Sequence, residues 1–270
     1  MKLITKNHIS YLTFDLFQKY PLIAAVSTRK GGVSEAPFDS LNMGLHVGDL
    51  PAAVEENRNR FFHALGSDAS RLICANQVHG THIEVVGKND CGRGATSMDT
   101  AISETDGLIT AEKQVPIIMN FADCTPLLFY DPVKEVIGLS HGGWRGTAGN
   151  IAGKTIDKMV NTFGSQRKDI LCAIGPAIGK ECFEVGGEVI EEFSKLFSEK
   201  EMQDLSSAKD NGKYLFDLHG ANRLLMERAG IPEDHIEDCG ICTYCRDDLF
   251  YSYRKSGGKT GRHMAVLEMQ

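Results

Sequence analysis

The chain has 270 residues, with 29 Lys and Arg against 36 Asp and Glu, for a formal net charge of −7. That balance argues against a broad nucleic-acid or anionic-membrane surface and leaves a small molecule as the expected partner. No apolar stretch reaches the roughly 18 residues of a membrane span, and Met1-Lys2-Leu3-Ile4-Thr5-Lys6 has no apolar signal segment, so a cytoplasmic protein is expected.

No repeat or low-complexity tract divides the sequence, and its glycine-rich pieces are scattered, so residues 1–270 are expected to form a single domain. In chain order, the first clear strand runs from Leu22 to Thr28. A helix follows Asp49: Pro51 fits its first turn, Val54, Phe61 and Leu65 share a face, and Gly66 stops it. Runs from Leu72 to Asn76 and from His82 to Val86 predict two more strands. Val115 to Phe121, Leu127 to Tyr130 and Val136 to Ser140 sit so close together that neighbouring strands of one sheet are expected. Helical spacing then covers about Ala148 to Phe163, with Gly164 beyond, and about Gly187 to Phe197. A last helix starts from an Asp217 cap and continues through Leu218, Ala221 and Leu225 to Gly230. Strands outnumber helices without strict alternation, which favours an α+β, mixed-sheet architecture over a doubly wound one.

Chemistry concentrates where apolar runs end. Gln77-Val78-His79-Gly80, Ala122-Asp123-Cys124-Thr125-Pro126 and His141-Gly142-Gly143-Trp144-Arg145-Gly146 offer two imidazoles and a thiol. Two nitrogens and one sulfur suit Zn²⁺ and also accept copper, and three protein ligands leave a fourth position open. Taken singly, Cys124 reads as an inert strand cysteine and His141 as a hydrogen-bonded strand end; three such residues at three strand ends are better explained together. Pro126 is expected to break the ladder just after the thiol and turn Cys124 towards a cleft. His82 is a substitute for His79, and Asp123 is expected first to be a structural group or one that supports the ligands, for instance by orienting a histidine, and only second to act as a general acid or base.

Cys239, Cys242 and Cys245 form a Cys-x2-Cys-x2-Cys run with His235 as the nearest fourth ligand. Without a partner Cys-x2-Cys, reduced thiols in a turn are the plainer expectation. The eight cysteines of a chain without a secretory signal are expected to stay reduced. Arg29, Arg58, Arg145 and Arg254 are anion-binding candidates because the guanidinium fork matches phosphate. A surface salt bridge is the stronger expectation for Arg254, and the weaker one for Arg29, because Gly31-Gly32 can aim backbone N–H groups at an anion.

Ordered motifs across nearly the whole chain resemble the YfiH-like family, also called the laccase-domain or multicopper polyphenol oxidase family. They include Thr28-Arg29-Lys30-Gly31-Gly32-Val33-Ser34, Ser40-Leu41-Asn42-Met43-Gly44, Glu56-Asn57-Arg58, Asn76-Gln77-Val78-His79-Gly80, Ala122-Asp123-Cys124, His141-Gly142-Gly143-Trp144-Arg145-Gly146, Gly175-Pro176-Ala177-Ile178-Gly179, Phe183-Glu184-Val185-Gly186 and Ser252-Tyr253-Arg254. The resemblance implies a layered α/β/β/α sandwich with mixed β-sheets and a zinc ion held by His79, Cys124 and His141. It implies a zinc-dependent purine nucleoside phosphorylase with adenosine deaminase activity, acting on adenosine, inosine or methylthioadenosine with inorganic phosphate. Arg29 or Arg58 would then place phosphate, and Asn42 would hydrogen-bond sugar or base. Gly142 stands where the family more often has Ala, and the Cys239 and Cys245 positions look variable there.

One competing expectation is a cysteine hydrolase or amidase with Cys124 as nucleophile and His141 as base, acting for example on a peptidoglycan precursor. A multicopper oxidase would need many more histidines at paired spacing than nine scattered ones supply. A non-catalytic zinc module is disfavoured because three ligands leave the site open.

Overall fold

The computed structural model describes every residue from Met1 to Gln270. Its strands are β1 (Lys2–Lys6), β2 (Ile9–Thr13), β3 (Leu22–Ser27), β4 (Ile73–Cys74), β5 (Ile83–Val85), β6 (Gly107–Thr110), β7 (Ile117–Phe121), β8 (Thr125–Asp131), β9 (Val136–Gly142), β10 (Leu171–Ile174), β11 (Glu184–Val185), β12 (Ser206–Ala208), β13 (Tyr214–Phe216), β14 (Ile236–Asp238) and β15 (His263–Met269). The helices are α1 (Pro51–Leu65), α2 (Trp144–Ala148), α3 (Ile151–Phe163), α4 (Gly187–Ser194), α5 (Glu199–Leu205) and α6 (Leu218–Arg228).

Two six-stranded sheets form the centre, ordered β1-β2-β3-β15-β7-β4 and β14-β10-β8-β9-β6-β5, with β11-β13-β12 as a small third sheet. Both large sheets are mixed: most neighbours are antiparallel, but β4 with β7, β5 with β6 and β10 with β14 are parallel. Side chains alternate across a strand, so the central strands supply two cores at once. Leu128, Tyr130, Ile137 and Leu139 of the second sheet meet Val26, Met119, Phe121 and Leu267 of the first. On the far side, Leu127, Phe129, Cys172 and Ile174 pack under Ile156 and Met159 of α3, Val189 of α4 and Leu225 of α6. Phe61 and Phe62 of α1 cover the other face of the first sheet against Ile118 and Val266. The layers are therefore α/β/β/α, as the family resemblance implies.

Local signals explain the helix ends. Pro51 opens α1 and Gly66 closes it at φ 77°, a left-handed conformation natural to glycine. The Asp217 side chain accepts from Gly220 N and caps α6. The helix expected from Ala148 is interrupted: Asn150 adopts φ 59° and its side chain caps α3 through Gly153 N, so the short α2 is separate. The helix expected to reach Phe197 ends at Ser194, and a Ser198–Glu201 capping box starts α5.

One expectation about the central strands is corrected. β7 belongs to the first sheet, whereas β8 and β9 form a hairpin in the second. Ala122-Asp123-Cys124 is thus the link that crosses between sheets, with Asp123 at φ 84°. Pro126 does not break the ladder; it lies inside β8 opposite His141. No helix is long and apolar enough to cross a membrane.

A candidate metal centre in a cleft at the strand ends

His79, Cys124 and His141 arrive from three different elements. His79 lies in the loop from β4 to β5, Cys124 in the β7–β8 crossing, and His141 near the end of β9. Their donor atoms all lie within 4.8 Å of one another. The two imidazole centroids are 4.7 Å apart, with ring planes at 72°. His79 and Asp123 both hold positive φ, 61° and 84°, a conformation that costs a non-glycine residue about 1–3 kcal/mol and marks functional turns.

Asp106, just before β6, organises this arrangement. Its buried carboxylate accepts from the N–H groups of Val78, His79 and Gly80 at 3.2, 3.0 and 2.7 Å. It also lies 2.8 Å from His141 Nδ1. With Nδ1 engaged there, His141 presents Nε2 to the other two donors. Of the two supporting roles expected of Asp123, orienting a histidine falls to Asp106 and the structural one stays with Asp123. Asp123 instead accepts from Thr243 Oγ1 at 2.6 Å and Arg254 N at 2.7 Å, which tie it to the far loops.

The electrostatics favour an ionised sulfur. Burial works against charge on Cys124, but the neighbouring His141 and His79 imidazoles outweigh it and draw the thiol down to about 6. For His141, burial disfavours the charged ring, while the Cys124 sulfur and the Asp106 carboxylate lift it to about 9. Gly143 leaves room for the cluster. A Cβ there would stand 3.0 Å from His79 Cδ2 and 3.2 Å from Cys124 Sγ.

The trio forms part of a cleft of about 480 Å³, whose walls also carry His46, Asn76, Gln77, Asn120, Ile178, Phe183, Tyr253, Arg254 and Arg262. That size falls within the roughly 300–1,000 Å³ usual for small-molecule sites. Gln77 is clamped to β7: its Nε2 donates to Asn120 O at 3.0 Å and its Oε1 accepts from Asn120 N at 2.9 Å. Arg254 Nη1 donates to Glu184 O, and its guanidinium lies 5.5 Å from the Phe183 ring. Arg262 Nη1 donates to Thr260 O and Gly261 O, with the guanidinium 5.7 Å from the Tyr253 ring.

Of the anion-binding residues expected from the sequence, Arg254 lines the cleft, and Arg29, Arg58 and Arg145 lie elsewhere. Arg58 is 1% exposed, and its guanidinium donates to the carbonyls of Met43, Gly94 and Ala95, so its fork is spent on two backbone segments. Arg29 donates to Asp39 O and Asp247 O, pairs with the Asp39 carboxylate at 3.1 Å and lies over Tyr251. Asn42 is fully buried, donating to Asp49 and accepting from Gly44 N and Arg262 N. Arg145 is exposed and stacks on Trp144. His82 pairs with Glu84 and does not line the cleft. Arg254, expected in a salt bridge, has its guanidinium on a carbonyl and a ring. Asp106, Arg262 and His46 were not singled out from the sequence; His46 follows the Ser40–Gly44 motif by two residues, and the other two have no motif beside them.

Residues 23–270 match the family described as multi-copper polyphenol oxidoreductase laccase. The chain belongs to this family. It is 38% identical over 249 residues to a Bacillus subtilis protein named purine nucleoside phosphorylase YlmD, covering 92% of this chain and 89% of that one. It is 32% identical over 242 residues to a protein of an unknown prokaryotic organism named adenosine deaminase RL5, covering 89% and 91%. The crystal structure of a Bacillus licheniformis hypothetical protein YfiH superimposes with a TM-score of 0.92 at 37% identity, over 98% of this chain and 97% of that one. The laccase-domain fold of the chain is thus shared with YfiH-type structures.

Proposed function

We propose that this laccase-domain protein is a purine nucleoside phosphorylase that also deaminates adenosine, with Zn²⁺ held by His79, Cys124 and His141. The observation that carries the proposal is the convergence of two imidazoles and one thiol in a cleft that also holds two arginines. The relatives named for phosphorolysis and deamination support the reaction classes. The donor set fits the metal: two nitrogens and a sulfur suit Zn²⁺ and leave a coordination direction for substrate. A bound Zn²⁺ supplies Lewis-acid activation of water or of a substrate oxygen.

The side chains of the cleft do the remaining work. Arg254 and Arg262 are the phosphate-binding residues, in place of Arg29 and Arg58, because both line the cleft. Phe183 and Tyr253 give the purine apolar faces, and exposed Asn76 offers an amide to base or ribose. In phosphorolysis a phosphate oxygen bonds ribose C1′ while the C1′–N9 bond breaks and its electrons leave with the base. In deamination a water oxygen bonds purine C6 and ammonia leaves. Adenosine, inosine and methylthioadenosine are the substrates to test. The copper chemistry in the family description has less support, because only His79 and His141 meet the thiol.

Metal-verified protein incubated with a purine nucleoside panel, with and without phosphate, tests the proposal by chromatography of products. Free base and ribose 1-phosphate are expected with phosphate, and inosine from adenosine without it. Activities that persist after zinc is chelated would refute it.

A second reading has its own observation. Asp106, His141 and Cys124 line up as carboxylate, imidazole and thiolate, the order of a cysteine hydrolase, with amides such as peptidoglycan precursors as substrates. The two readings part at His79. Zn²⁺-dependent turnover collapses in His79→Ala, whereas a Cys–His–Asp hydrolase survives that change and chelation alike.

A further inference from the structure

A second thiol group lies outside the trio. The Sγ atoms of Cys182, Cys242 and Cys245 fall within 4.8 Å of one another. The fold rearranges the set suggested by spacing alone: Cys239 is buried in the core between the two large sheets, and Cys182 takes its place from the turn Lys180–Cys182. Cys182 Sγ and Cys245 Sγ are 3.4 Å apart. Cys242 Sγ accepts from Gly179 N at 3.2 Å and from Cys245 N at 3.5 Å.

Backbone N–H groups aimed at sulfur are what a metal-bound thiolate uses, because they spread its charge. The 242–245 turn supplies them from within a Cys-x2-Cys pair, the spacing that presents two sulfurs to one cation. Three soft sulfurs select thiophilic ions over Mg²⁺ or Ca²⁺. We infer that Cys182, Cys242 and Cys245 form a second cation site, for Zn²⁺ or a similarly thiophilic ion, distinct from the trio.

Such an ion would join two segments that build the cleft wall. Beside Cys182 are Ile178 and Phe183, both lining the cleft. Ile178 N donates to Asp123 O at 2.9 Å, and Thr243, next to Cys242, donates to the Asp123 carboxylate at 2.6 Å. Cross-linking the sulfurs therefore fixes the wall that faces the trio and stiffens the β7–β8 crossing through Asp123.

The test starts from reduced, metal-free protein carrying Cys124→Ala, which removes the trio's sulfur. Titration with Cd²⁺ is expected to give one equivalent of tight binding with an ultraviolet thiolate-to-metal band, and Zn²⁺ is expected to displace it. Adding Cys182→Ser or Cys245→Ser should shrink the band by about a third and weaken binding at least tenfold, while Cys91→Ser leaves both unchanged. Cys245 is exposed, so its replacement tests the site without disturbing the core, and circular dichroism confirms that each variant is folded. Three results would overturn the inference: no stoichiometric Cd²⁺ band, a band indifferent to both serine variants, or a Cys182–Cys245 disulfide in the protein as purified. Because the trio is disabled throughout, these outcomes are independent of the proposed catalytic metal.

Discussion

Asp106 grips His141 twice, taking its backbone N–H on a main-chain carbonyl at 2.8 Å and its Nδ1 on a carboxylate oxygen at 2.8 Å. Because the same carboxylate gathers the N–H groups of residues 78–80, one buried side chain fixes the ring of one imidazole and the loop of the other.

Asp106→Asn keeps the shape but replaces one acceptor oxygen with a donor. At least one buried N–H, or the His141 ring, then loses its acceptor, at a cost of about 1–3 kcal/mol. Zinc affinity, measured by competition with a chromophoric chelator, is expected to fall by about 10–100-fold. Unchanged affinity in a folded variant would show that Asp106 serves the loop alone.

Gly143→Ala tests the space around the trio. The φ of Gly143 is −69°, which any residue tolerates, so the cost is steric. The added methyl pushes on His79 Cδ2 and Cys124 Sγ, 3.0 and 3.2 Å from its ideal position. Metal content and nucleoside turnover should drop more than tenfold, while stability falls by about 1–3 kcal/mol. Gly187→Ala, at the start of α4 with nothing within 4 Å of the new methyl, should keep full activity and gain about 0.4–1 kcal/mol. Wild-type metal load in Gly143→Ala would mean that the three donors sit farther from residue 143 than the geometry indicates.

The sequence makes legible what depends on neighbours in the chain. His79, Cys124 and His141 end apolar runs, and Pro51, Gly66 and Asp217 mark helix ends through chemistry within four residues. Asp106 carries no such mark, because its partners lie 26 to 35 residues away. Arg58 reads as an anion-binding candidate, yet loops at Met43 and at Gly94–Ala95 close over it and bury its charge. The runs 115–121 and 127–130 look like neighbours in one sheet; only the left-handed turn at Asp123 sends the second into the other sheet. Arg29 and Arg58 lie outside the cleft for the same reason: a guanidinium's partners are set by tertiary packing.

The arginines divide accordingly. Arg254→Ala and Arg262→Ala are expected to raise the KM for phosphate at least tenfold while the phosphate-independent conversion of adenosine to inosine changes less. Arg58→Ala strips acceptor carbonyls of their partner in the interior and should cost about 3 kcal/mol or more in urea unfolding, with no selective effect on phosphate. If Arg254→Ala and Arg262→Ala leave phosphate saturation intact, the phosphate lies on other groups of the cleft.

His263 makes the fold sensitive to acid. It stands opposite Phe121 in the sheet and between the Phe121 and Phe250 rings, fully buried, with no hydrogen-bond partner on either ring nitrogen. Burial, aided by the Arg262 charge and only partly offset by the Pro176 backbone, holds it down to about 3. A histidine depressed in the fold takes its proton only on unfolding, so the unfolded chain binds more protons between its own value, about 6.5, and the folded one. Stability is therefore lost as pH falls below about 6.5, by roughly 2–3 kcal/mol at pH ~4.5 from this residue. Asp106 and Asp238, both held below the usual carboxylate value against opposing burial by hydrogen bonds to His141 and His219, add their own loss as pH falls through their folded values. The comparison with His263→Leu removes them: urea unfolding at pH ~7 and ~4.5 should show the variant losing about 2–3 kcal/mol less than the wild type. Equal losses in the two proteins would mean that His263 accepts its proton without opening the core.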